Sequence, residues 1–107
     1  VAASRSSGDA DLTNIGETGE LVKRASEDLG PLDLLVNNAS IFRQDSARSF
    51  DEQAWAQHFD VHVRAPSILA AAFAEQLPDD ATGLIVNIID QRVWALRPSF
   101  YSYTLSK

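Results

Sequence analysis

There is no cysteine among the 107 residues of this chain, so disulfides and thiolate metal sites are excluded. Histidine is scarce too. His58 and His62 stand four apart without a Glu-x-x-His or cysteine context, and no metal site is expected. No apolar run reaches the roughly 20 residues that span a bilayer, and no secretory signal is visible; a soluble cytoplasmic protein with no membrane partner is expected. Positive charge is in short supply. Nine Lys and Arg face 15 Asp and Glu, a formal net charge of -6 that disfavours nucleic acid and other polyanions. The five glycines, Gly8, Gly16, Gly19, Gly30 and Gly83, make no Gly-x-Gly-x-x-Gly spacing, so no phosphate-cradling loop of that type is present.

What the chain does have is an alternation of helical and strand patterns. A helix is predicted from about Glu17 to Leu29, with Thr13 or Asn14 as N-cap. Leu21, Ala25 and Leu29 form its apolar stripe, and Gly30-Pro31 ends it. Leu32–Asn38 reads as a strand, and residues 41–50 as a polar loop. A long helical pattern follows from near Asp51, with Trp55, Phe59, His62, Pro66, Leu69, Phe73 and Leu77 recurring every three or four positions. Pro66 lacks a backbone donor and predicts a kink. Pro78-Asp79-Asp80 closes that helix before a second apolar run, residues 83–90. This order indicates an α/β fold with a parallel sheet and helical crossovers. Both strands are expected to be buried, with polar groups at their carboxyl ends, where open α/β sheets place their ligands.

The chemistry is concentrated at the end of the chain. Tyr103 and Lys107 lie four residues apart and share a face if they open a helix, which brings the ammonium beside the phenol. A neighbouring cation lowers a tyrosine pKa from its ordinary value of about 10, which makes the phenol a usable proton donor. Asp90 stands thirteen residues before Tyr103. It reads either as a cap on the turn that follows or as a carboxyl group raised by desolvation and able to share a proton with the phenol.

Asn37-Asn38-Ala39-Ser40 after the first strand, together with Tyr103-x-x-x-Lys107, resembles the short-chain dehydrogenase/reductase family over nearly all of residues 9–107. The resemblance implies a doubly wound, Rossmann-like parallel sheet, of which residues 1–107 would be an incomplete central portion. The glycine-rich N-terminal loop and the C-terminal part would then belong to a longer polypeptide. The family normally has serine thirteen residues before its tyrosine. Here that residue is Asp90, as in pteridine reductases and dihydromonapterin reductases. His62 falls at a catalytic-tetrad position that is usually asparagine, and Phe42 matches the phenylalanine that pteridine reductases stack on a pterin.

From the resemblance, Tyr103 is the proton donor and Lys107 bonds the nicotinamide ribose. Asn38 and Ala39 lie against the cofactor, Ser40 lies near the substrate, and Asp11 with Leu12 meets the adenine. The expected cofactor is NADP(H), with NAD(H) still open: Arg5 reads equally as the arginine that holds the 2'-phosphate or as a polar segment end. Each assignment has a bland rival. Asp11 also suits a helix-start cap, His62 a core histidine, and Phe42 and Trp94 loop residues packed on the core rather than an aromatic substrate slot. The expected function is NADPH-dependent reduction of a dihydropterin or folate-type small molecule. The alternatives are a carbonyl or alcohol oxidoreductase, or a non-catalytic binding subunit. By the same analogy a homo-oligomer, a tetramer, is expected.

Overall fold

A computed structural model describes residues 10–107, so Arg5 lies outside the described residues. The first helix, α1 (Ile15–Leu29), starts where Asn14 accepts hydrogen bonds from the backbone N–H groups of Gly16 and Glu17. It ends at Gly30, whose φ of 86° only glycine adopts without strain. Strand β1 (Leu34–Asn37) follows, and the Gln76 side chain brackets its approach, bonding both the N–H and the carbonyl of Leu32 at 2.7 Å.

The long helical pattern is one continuous rod in three parts. These are α2 (Glu52–Phe59), a π-helical turn (Asp60–Arg64) and α3 (Ala65–Gln76). The irregularity expected at Pro66 is thus taken up just before it, where Ala65 N–H reaches back five residues to the Asp60 carbonyl. A regular α-turn would press the proline ring on the carbonyl four residues earlier, and the wider turn relieves that clash. Strand β2 (Leu84–Asn87) then pairs parallel to β1, with Leu34 opposite Leu84 and Asn37 opposite Asn87. Gly83 permits its close approach to α3: a Cβ there would come within 2.8 Å of Phe73 and Leu77. A 3-10 turn (Gln91–Val93) and α4 (Tyr101–Ser106) complete the described chain.

α1 packs on α3, with Thr18 and Val22 of α1 and Leu69 and Phe73 of α3 all buried, and α2 packs on α4. The expectation of two buried strands is corrected here. Leu34, Val36, Leu84, Ile85, Ile88 and Ile89 are exposed. The described helices leave these side chains uncovered, although the strands carry the continuous apolar pattern of a sheet covered on both faces.

Candidate active site

The carboxyl ends of β1 and β2 lie side by side, joined by Asn37 Nδ2 donating to Asn87 Oδ1 at 2.8 Å. The functional side chains collect on the segments that leave these ends. Asp90 follows β2 and caps the 3-10 turn, accepting the Arg92 N–H at 2.8 Å. Its second oxygen accepts the Tyr103 hydroxyl at 3.0 Å. The turn-capping role and the partnership with the phenol therefore coexist in one carboxylate.

The charge balance reverses two expectations. Tyr103 is pushed up from its ordinary value, first by burial and then by its hydrogen bond to Asp90, while a hydrogen bond with Ser40 pulls the other way. Lys107 does not dominate it. The ammonium lies 5.9 Å from the ring centroid and donates to the Ile88 carbonyl at 3.2 Å. Asp90, for its part, is held below the ordinary carboxylate range, chiefly by the Arg92 backbone N–H, with Tyr103 and the Arg92 guanidinium adding to the effect. Those donors outweigh desolvation, so Asp90 is an ionised acceptor that keeps Tyr103 protonated.

His62 Nε2 meets the Ile41 N–H at 3.2 Å and the Ser40 hydroxyl at 3.0 Å, and its Nδ1 lies 2.7 Å from Ser106 Oγ. A backbone N–H can only donate, so Nε2 is the acceptor and the ring proton sits on Nδ1. Burial, then Lys107 and His58, lower His62 to about 4. It is neutral near pH 7.

Phe42 stacks on Phe100, centroids 4.3 Å apart, and meets Tyr103 edge-on at 4.7 Å. The Arg92 guanidinium carbon lies 4.9 Å from both phenylalanine centroids, and its Nε is buried without a hydrogen-bond partner among the described residues. Phe100 and Arg92 belong to no motif in the sequence. Their only signals are spacings: Phe100 precedes Tyr103 by three residues, and Arg92 follows Asp90 by two. Trp94 lies apart from this cluster and is 74% exposed. Asp11 accepts from the Thr13 N–H and hydroxyl just before α1, a local turn-closing geometry. Leu12 is half-buried beside it, and Asn38, Ala39 and Ser40 are exposed.

The family model for short chain dehydrogenase matches residues 6–107. FolM alternative dihydrofolate reductase 1 from Brucella suis, solved in complex with NADP, is 52% identical with a TM-score of 0.85, over 91% of this chain and 40% of that one. A blue fluorescent protein from a metagenomic library, in complex with NADPH, is 31% identical with a TM-score of 0.82, over 92% of this chain and 39% of that one. The 2-dehydro-3-deoxy-D-gluconate 5-dehydrogenase of Dickeya dadantii is 30% identical over 99 residues, 92% of this chain and 39% of that protein. The chain thus spans about two fifths of the length of these relatives. With the family model matching residues 6–107, the chain belongs to the short-chain dehydrogenase family.

Proposed function

We propose that the polypeptide carrying this chain is an NADPH-dependent reductase of a dihydropterin or folate-type substrate, with Tyr103 as proton donor. The observation that carries this reading is the hydrogen bond from Tyr103 to Asp90, set against the edge of Phe42. An anionic acceptor keeps the phenol protonated, and an aromatic wall beside it suits a flat heterocycle. Phe42 is 52% exposed, rooted on Phe100 with ring surface to spare.

The donor set at the carboxyl ends of the strands fits the nicotinamide and ribose end of a dinucleotide. An ammonium has three donors, and Lys107 uses one on Ile88; Asn38, Ala39 and Ser40, which follow β1, are exposed. Those residues with Tyr103 would hold NADP(H), Asp11 and Leu12 would lie toward its adenine, and the bound nicotinamide would supply the hydride. Tyr103 passes its proton to the ring nitrogen of the substrate C=N as the carbon is reduced. The resulting phenolate is stabilised by the Ser40 hydroxyl and by the Lys107 charge, and it regains a proton from solvent through exposed Ser40. While Tyr103 is protonated the Ser40 hydroxyl is donated to His62, and it turns to the phenolate once the proton has left.

A second reading, a sugar-acid oxidoreductase, draws on the 30% identity to the Dickeya dadantii enzyme. The 52% identity to the Brucella suis alternative dihydrofolate reductase favours the folate-type substrate. The test is NADPH oxidation by the full-length polypeptide with 7,8-dihydropterins, dihydrofolate and keto-gluconates, repeated in Phe42→Ala. Turnover of the pterins, with a KM raised about tenfold in the variant, supports the proposal. Turnover of keto-gluconates alone would replace it with the second reading.

A further inference from the structure

Two histidines and two serines, each pair four residues apart, face a stretch of loop whose alternate residues face them. Arg43 N–H donates to His58 Nε2 at 3.0 Å, and His58 Nδ1 lies 2.7 Å from Ser102 Oγ. One step along, Ile41 N–H donates to His62 Nε2 at 3.2 Å, and His62 Nδ1 lies 2.7 Å from Ser106 Oγ. Both imidazoles therefore carry their proton on Nδ1 and bridge a loop N–H to an α4 hydroxyl. The spacing explains the repeat. Two residues of extended chain advance about 6.6 Å and four residues of helix about 6 Å, so three segments of different geometry stay in step. The stacked imidazole centroids are 5.7 Å apart, which matches both.

We propose that His58 and Ser102, with His62 and Ser106, form a two-rung ladder whose function is to position the aromatic wall against the proton donor. Phe42 is the residue between the two loop N–H groups, and Tyr103 lies between the two serines on α4. The ladder fixes the segments that carry these two rings, which meet at 4.7 Å. His58 and Ser102 are fully buried; His58 meets the Tyr103 ring edge-on at 5.7 Å, but its polar atoms bond Arg43 and Ser102 rather than the Tyr103 hydroxyl or Asp90, which makes the two positioning residues. Asp45 extends the same pattern: two residues beyond Arg43, its carboxylate accepts the Ser102 N–H at 3.1 and 3.2 Å. Phe100, which precedes α4, offers no side-chain cap of its own. The loop thus grips α4 through residues 41, 43 and 45, and residue 42 is left facing the substrate side. This inference rests on the reading of Tyr103 as proton donor.

The test uses the full-length polypeptide and has two readouts. The first is steady-state NADPH-dependent reduction by His58→Leu, His58→Gln and Ser102→Ala. His58→Leu is expected to lower kcat about 30-fold while NADPH affinity stays within about twofold, because a small misplacement of reacting groups costs rate rather than binding. His58→Gln, whose amide head carries both an acceptor and a donor, is expected to recover most of that loss. Ser102→Ala removes one oxygen only and so tests the same rung if His58→Leu does not fold; about a tenfold loss in kcat is expected. A kcat unchanged in Ser102→Ala would overturn the ladder. The second readout is the ring nitrogen shifts of both histidines by 15N NMR near pH 7. Protons on Nδ1 in both support the ladder, and a proton on Nε2 of either overturns it. Tyr103→Phe separates the two readings: full activity in that variant refutes the proton-donor reading, and the nitrogen shifts still decide the ladder.

Discussion

The Tyr103 hydroxyl donates to the Asp90 carboxylate across 3.0 Å, and the two groups shift each other in opposite senses. Asp90 is held ionised and Tyr103 is held protonated. In a reductase the phenol must carry its proton, and activity is lost as pH rises through its pKa. Asp90→Asn removes the anion that raises that pKa. The alkaline limb of kcat/KM is expected to move about one pH unit lower in the variant. An unmoved limb would separate Asp90 from the tuning of Tyr103.

Asp45 supplies the N-terminal cap of α4 from a loop 57 residues away. It is buried, and its loss leaves the Ser102 N–H without a partner. Asp45→Ala is expected to cost about 1–2 kcal/mol in urea unfolding, and Asp45→Asn less, since one acceptor oxygen is kept. A loss below about 0.3 kcal/mol in Asp45→Ala would mean that the cap contributes little.

The fold was legible where the pattern is local. Leu84–Asn87 announces a strand by composition, and Pro66 announces a break in the rod; the structure adds that the break is a π-turn. The pairing of Asp90 with Tyr103 was legible through the family resemblance, which gives the position thirteen residues before the tyrosine its meaning. Two features were not. The Ser102 contact to His58 spans 44 residues and depends on how α2 meets α4, which no periodicity encodes. The sign of the Tyr103 shift was also hidden. Helical spacing brings Lys107 to the ring, but only the packing shows that its ammonium turns to the Ile88 carbonyl.

His62 makes stability depend on pH. Its folded value of about 4 lies below the ordinary 6.5, so the unfolded chain binds the extra proton between those limits. Stability is then complete above pH 6.5 and falls as pH drops toward 4, by at most about 1.4 kcal/mol per pH unit from this residue. Lys107 and His58, the charged or titratable groups facing it, both favour the neutral ring. His58 is lowered as well, chiefly by burial, and contributes in the same direction. Urea midpoints at pH 7.5 and 5 are expected to differ less in His62→Asn than in the parent. An equal difference in both would assign the pH dependence elsewhere.

The central claim is that Tyr103 supplies the proton. Single-turnover NADPH oxidation by Tyr103→Phe in the full-length polypeptide, with a dihydropterin as acceptor, tests it most directly. The rate is expected to fall by about a thousandfold while NADPH affinity weakens by no more than about tenfold, the signature of a lost general acid rather than of lost cofactor binding alone. A rate within about tenfold of the parent would contradict the account.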